Sequence, residues 1–392
     1  MSLPAPLNPA LAAGFAPPVM EARRWLEGVT FPPERPLLNL SQAAPVAPPP
    51  SPLRTAMAAA LEVPDTHLYG PVLGLPKLRA ALAARTGAIY GGAVEAAQVA
   101  ITAGCNQAFC AAMATLAGPG DAVILPVPWY FNHKMWLDMS GIEAVPLPCG
   151  AGMLPDPNAA AALIGPRTRA IVLVSPNNPA GVEYPPALLA AFSDLARARG
   201  IALVLDETYR DFHGGEGPPH GLFADPDWDE VLIHLYSFSK AYRLTGHRVG
   251  ALVTSPARLA QAEKFLDCVA ICPTGLGQRA ALWGLAHLGE WLAGERAEIL
   301  ARRAAIDAAL GGLKGWALDG SGAYFAWVRH PFDMPSDMLA QRLVREASVL
   351  VLPGTMFMPR AEDGARHLRI AFANADAAGI AELAERLATF RP

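Results

Sequence analysis

The sequence predicts an α/β protein in two parts: a large unit with a mostly parallel sheet between helices, and a smaller α+β unit. Three observations carry this expectation. Short, near-continuous apolar runs alternate with longer amphipathic stretches through the middle of the chain. The pattern changes after about residue 283, and 392 residues exceed what one simple core accommodates. Residues 1–50 are expected to form an N-terminal arm belonging to the small unit, 51–282 the large unit, and 283–392 the small C-terminal unit.

In chain order, residues 32–53 hold many prolines, among them Pro48, Pro49 and Pro50, and predict an extended segment. The runs 122–125, 170–174, 201–205 and 231–235 lack the alternation of a half-exposed strand. A strand reads this way when helices cover both faces of its sheet. Between two of these runs, Pro186–Arg199 places Leu188, Leu189, Phe192 and Leu195 on one stripe, an amphipathic helix. Strand–helix–strand order implies right-handed crossovers. Farther on, residues 291–313 predict a long helix, 324–328 a strand, 337–347 a helix and 349–353 a further strand.

Composition narrows the function classes. With 52% hydrophobic and 17% charged residues the chain is globular rather than disordered. A net charge of −4 without a basic patch argues against nucleic acid or an anionic membrane as partner. Cys105, Cys110, Cys149, Cys268 and Cys272 are odd in number and lack metal-ligand spacing, so they read as reduced thiols and no metal is expected. No positive side chain precedes Arg23 and prolines interrupt the opening residues, so no secretory signal is read there. Each apolar run is broken before it reaches a membrane span. A cytoplasmic protein is expected by elimination.

In open α/β sheets, ligands gather at the carboxyl ends of the strands. The run ending at Val174 leads into Asn177-Asn178-Pro179, and the run ending at Leu205 into Asp206-Glu207-Thr208-Tyr209. The run ending at Leu235 leads into Ser237-Phe238-Ser239-Lys240, with Arg248 shortly after. Residues 99–102 lead into Gly104-Cys105-Asn106, which opens an apolar helix. Four strand ends thus deliver an amide, a carboxylate, a lysine with hydroxyls and an arginine, and a helix N-terminus. Pyridoxal phosphate chemistry needs that set: a lysine to hold the aldehyde and move a proton, an acid against the pyridine nitrogen, donors to the phenolic oxygen, and a phosphate pocket. Each residue also has an ordinary reading: Asp206 as a helix cap, Asn178-Pro179 as a turn, Arg369 in a surface salt bridge, Tyr69 as a loop aromatic packed in its own subunit.

The run from Ser237 to Gly250 resembles the cofactor-attachment signature of class I/II aminotransferases, the fold type I pyridoxal phosphate enzymes, and the likeness extends over nearly the whole chain. The resemblance implies that Lys240 carries the cofactor and that Ser237, Ser239 and Arg248 hold its phosphate. Amides at Gly104, Cys105 and Asn106 would complete that pocket. It implies that Asp206 faces the ring nitrogen, that Asn178 and Tyr209 meet the phenolic oxygen, and that Tyr130 stacks on the ring, with Trp129 one position away. Arg369 resembles the arginine that clamps the substrate α-carboxylate, with Asn178 and the backbone of Ala43 beside it. Tyr69 resembles the tyrosine that reaches the neighbouring subunit's phosphate, which implies a homodimer with active sites at the interface. Lys240, Asp206 and Tyr209 are the expected catalytic residues. Two positions depart from the family pattern: Ala43 stands where glycine is usual, and Cys105 where a small or hydroxylated residue is common.

The implied activity is transfer of an amino group between an L-amino acid and a 2-oxo acid. Carbon–sulfur β-lyases share the fold and most of these residues and form the alternative. No sequence motif marks a second cation for a substrate's distal carboxylate. Phe15, Tyr130 and Tyr242 suggest an apolar pocket for neutral or aromatic side chains.

Overall fold

The computed structural model describes residues 5–391, so Met1–Pro4 of the N-terminal arm and Pro392 lie outside the described residues. The arm contributes strand β1 (Leu38–Asn39). The large sheet is built from β2 (Val99–Thr102), β3 (Ala122–Val127), β4 (Glu143–Pro148), β5 (Thr168–Val174), β6 (Ala202–Asp206), β7 (Leu232–Ser237) and β8 (Gly250–Val253). Their spatial order is β2-β8-β7-β6-β5-β3-β4. The strands from β7 across to β4 are parallel, while β8 runs antiparallel to both β7 and β2. Every residue of β2, β3, β6, β7 and β8 is buried. Helices pack on both faces, which is the physical reason these strands carry unbroken apolar runs. The helix Pro186–Arg199 buries Leu189, Phe192 and Ala196 against one of the two cores that flank the sheet.

The antiparallel β8 was not foreseen, and it matters. Parallel neighbours need a long crossover, whereas antiparallel ones are joined by a direct return. Ser237 pairs with Gly250 across β7 and β8, so residues 238–249 form a loop closed at its base by that pairing. Lys240 and Arg248 both sit on this loop.

The second sheet comprises β9 (Ala317–Gly322), β10 (Phe325–Arg329), β12 (Leu352–Pro353) and β13 (His367–Ile370) in the order β12-β13-β10-β9, all antiparallel. The intervening β11 (Val349–Leu350) leaves that sheet and pairs in parallel with β1. The single run expected at 349–353 therefore serves two partners, breaking at Val351. The long helix is Gly289–Gly311, beginning two residues earlier than the periodicity indicates, and Ser336–Ala347 matches the expected helix closely. Leu40 of the arm shares a core with Leu343, Val349, Leu368 and Ile370. No helix among the described residues is long and apolar enough to cross a membrane.

Candidate active site

The carboxyl ends of β5, β6 and β7 open onto a cavity of about 430 Å³ whose far wall is the N-terminal arm. Val174 and Asp206 are register partners at the ends of β5 and β6, so the loop after β5 and the acid ending β6 start side by side. In that loop Asn177 turns inward, its Oδ1 accepting from the Ala180 amide at 2.9 Å, and Asn178 is left to face the cavity. Asp206 is 3% exposed, and it is not a helix cap, since the next helical turn, Arg210–Phe212, is capped at Tyr209. Its Oδ1 accepts from the Thr208 amide at 3.0 Å and from the Cys105 thiol at 3.5 Å. Its Oδ2 lies 3.3 Å from His133 Nε2. Burial alone would push the carboxyl up. Hydrogen bonds and charge from His133, with those from Thr208, outweigh it and hold the group below its ordinary value.

His133 went unnoticed in the sequence. It lies on the helix Phe131–Met139, its ring stacked on Phe109 with centroids 3.9 Å apart and edge-on to Tyr130 at 4.9 Å. The available signal was its place one helical turn after Tyr130, too common a spacing to single it out.

Lys240 is half-buried in the cavity wall, and its Nζ donates to the Ala43 carbonyl at 2.6 Å. Burial, and the positive charges of Arg248 and Arg369, push its amine down to about 8. The Tyr209 ring lies 5.9 Å from that amine, and burial raises the Tyr209 phenol well above its usual value, so it stays a donor. Glu207, next to Asp206, points the other way. It is buried between His234 at 2.8 Å, His220 at 3.2 Å and the Tyr90 hydroxyl, and takes no part in the cavity.

The helix Cys105–Leu116 starts at the cavity floor. Its first amides, at Cys105 and Asn106, have no intrahelical acceptor and point out of the helix end. Gly104, with φ +86°, caps it, and a Cβ there would stand 2.2 Å from Arg248 Nη2. The guanidinium thus packs against the helix start through space only glycine leaves. Gly250 fixes the same point from below: a Cβ on it would meet the Cys105 amide nitrogen at 2.6 Å. Ser237 Oγ accepts from the Ser239 amide at 3.2 Å, and both serines line the cavity.

Arg369 is 2% exposed, so the surface salt bridge is excluded. Its Nη1 donates to Asn178 Oδ1 at 3.0 Å and its Nη2 to the Ser41 carbonyl. Its Nε has no partner among the described residues, and no carboxylate pairs with it. Burial pushes the guanidinium down to about 10. A buried guanidinium that lines a cavity and has no carboxylate partner is a site for an anion.

Of the residues singled out by sequence, the cavity brings together Ala43, Cys105, Asn106, Tyr130, Asn178, Asp206, Tyr209, Ser237, Ser239, Lys240, Arg248 and Arg369. Tyr130 faces it, while Trp129 is buried in the adjoining core. Tyr69 stands apart. It is 80% exposed, which is not the burial of a loop aromatic packed in its own chain. Phe15 and Tyr242 do not line the cavity either: Phe15 is 39% exposed elsewhere on the surface and Tyr242 is core, so of the three aromatics expected in an apolar pocket only Tyr130 is there. The apolar wall comes instead from Pro17, Pro18, Val19, Met20 and Phe131, and Arg23 and Gln42 join it from the arm.

This fold and cavity define a class. Residues 35–387 match the family "Aminotransferase class I and II", and the chain belongs to that family. It is an aminotransferase, an enzyme that moves an amino group between an amino acid and a 2-oxo acid, in a class that works with pyridoxal phosphate. It is similar to valine–pyruvate aminotransferase of Mycobacterium tuberculosis, 32% identical with 91% of each chain covered. The arginine–pyruvate transaminase of Pseudomonas aeruginosa is 32% identical over 85% of each chain. Among solved structures, an aminotransferase from Mycobacterium tuberculosis superposes with a TM-score of 0.86 at 28% identity, covering 98% of this chain and 99% of that one. The aspartate aminotransferase of Thermus thermophilus with maleate gives 0.87 at 26% identity, covering 98% and 99%.

Proposed function

We propose that this chain binds pyridoxal 5′-phosphate in the cavity below the arm, with Lys240 as its covalent anchor and Asp206 against its ring nitrogen. The observation that carries the reading is one cavity holding a lysine of depressed basicity, an ionised buried acid and an unpaired buried guanidinium. The phosphate fits the cradle at the helix start, where the Cys105 and Asn106 amides, Ser237, Ser239 and Arg248 converge and a Cβ at Gly104 would intrude. Bound there, the group supplies a carbonyl that captures amines and a protonated ring that draws electrons from the substrate Cα.

The chain's own residues do the rest. Arg369 binds the α-carboxylate through its guanidinium and, with Asn178, orients the substrate Cα. Lys240, once displaced by the incoming amine, would take the proton from the donor's Cα and deliver it to the cofactor's C4′, and carry it back the other way when the 2-oxo acid is aminated, a task suited to an amine lowered to about 8. Asp206, kept ionised by His133 and Thr208, holds a proton on the facing ring nitrogen. Tyr209 and Asn178 would meet the phenolic oxygen, and Tyr130 would stack on the ring. Ala43 ties the arm to Lys240 through its carbonyl, so its methyl does not prevent the backbone from serving.

The working molecule in this reading is a cytoplasmic homodimer, Tyr69 reaching the partner's phosphate site. Its chain divides into an arm (1–50), a large unit (51–282) and a small unit (283–392). Support for the dimer is the run of exposed apolar side chains in the segment leading to Tyr69, Leu61, Val63 and Leu68 among them. The test is an assay of the purified holoenzyme with a panel of L-amino acids and pyruvate. Alanine formation that depends on the added oxo acid is expected. Pyruvate and ammonia released from S-substituted cysteines, without an acceptor, would favour the lyase alternative.

A further inference from the structure

The cavity contains one cation that none of these roles uses. Arg23 lies on the helix Pro18–Arg24, three of whose other residues also line the wall. Its Nη2 donates to Gln42 Oε1 at 2.7 Å, a neutral acceptor. The adjacent Arg24 pairs with Glu21 at 2.7 Å, but no described carboxylate lies within 4.0 Å of Arg23. The side chain is exposed, and its charge has no counter-ion among the described residues.

Where it is held matters more. Three consecutive arm residues each anchor one cation of the cavity. The Ser41 carbonyl accepts from Arg369, the Gln42 side chain from Arg23, and the Ala43 carbonyl from Lys240. A substrate whose α-carboxylate is on Arg369 and whose nitrogen is at Lys240 has used two of the three. On the same side of the lining, Asn132 donates to the Tyr130 hydroxyl at 3.0 Å, and that hydroxyl to Asn106 at 3.3 Å. What faces a side chain is an apolar stretch of Pro17, Val19 and Met20 that ends in the Arg23 guanidinium. Methylenes followed by an anion complement such a wall.

Resting on the amino-transfer reading above, we infer that Arg23 is a specificity-determining residue. It binds the far carboxylate of a dicarboxylic 2-oxo acid, and of the matching amino acid. The apolar stretch before it accepts neutral side chains, so one site takes two kinds of partner in alternate half-reactions.

The test compares holoenzyme with Arg23→Ala and Arg23→Lys, using one amino donor and either 2-oxoglutarate or pyruvate as acceptor. Competitive binding of glutarate, which cannot turn over, is measured alongside by calorimetry. For R23A the ratio of kcat/KM for 2-oxoglutarate over pyruvate falls about 10-fold or more, carried by KM, and glutarate binding weakens in parallel. R23K recovers part of both. An unchanged ratio, or an equal loss for both acceptors, overturns the inference, the second because it marks only a structural role for the arm. Should the wild type transfer no amino group to either acceptor, the amino-transfer reading fails. Glutarate then decides Arg23 alone, and equal affinity in wild type and R23A overturns it.

Discussion

At Lys240 the chemistry is set by what surrounds the amine. Burial and two neighbouring guanidinium groups lower it from 10.5 to about 8. The nucleophile is the neutral amine, which grows as pH rises through that value. The protein without cofactor is therefore expected to capture pyridoxal phosphate with a rate that climbs to half its plateau near pH 8. A stopped-flow series from pH 6 to 10 checks this, since an ordinary surface lysine would keep climbing to the top of the range. Asp206 behaves in the opposite sense: its folded value is depressed, so it stays ionised until the pH falls well into the acid range. These residues differ in how far the sequence reveals them. Lys240, Asp206 and Asn178 follow apolar strands directly, so strand ends locate them. His133, Gln42 and Arg23 come from a helix and an arm whose path over the cavity depends on β1 pairing with β11, a contact between residues more than 300 positions apart.

At the scale of elements, the site depends on a close approach between a strand and a helix start. Gly250 of β8 lies so near the Cys105 amide that a methyl there must displace one of them. Gly250→Ala is expected to cost about 1–3 kcal/mol of stability through overpacking. Because the displaced atom belongs to the proposed phosphate cradle, cofactor affinity should fall about 10-fold or more as well. Thermal unfolding and a pyridoxal phosphate titration measure the two losses. A drop in stability alone would mean the helix start does not hold the phosphate. The sequence indicates most of these elements because buried parallel strands are unbroken apolar runs. It does not reveal that β8 turns back antiparallel, since a buried strand reads the same in either direction. Nor does it show that 349–353 splits between two sheets, because Val351 is as apolar as its neighbours.

At the scale of the whole molecule, the arm, the large sheet and the small sheet converge on one cavity, and the exposed face around Tyr69 lies elsewhere. A homodimer is expected in sedimentation equilibrium at micromolar concentration. Tyr69→Ala is expected to weaken retention of pyridoxal phosphate several-fold, as the loss of one hydrogen bond to an anion does. A monomer with full activity would remove both expectations. A single chain's sequence marks Tyr69 only by likeness to a family, because the contact it serves is not within that chain.

The central claim is that the amine of Lys240 holds the cofactor. Holoenzyme reduced with borohydride, digested and mapped by mass spectrometry should carry the phosphopyridoxyl group on the peptide containing Lys240, and Lys240→Ala should carry none there. The label on Lys77, Lys134, Lys264 or Lys314 instead, or undiminished labelling in the variant, would contradict it.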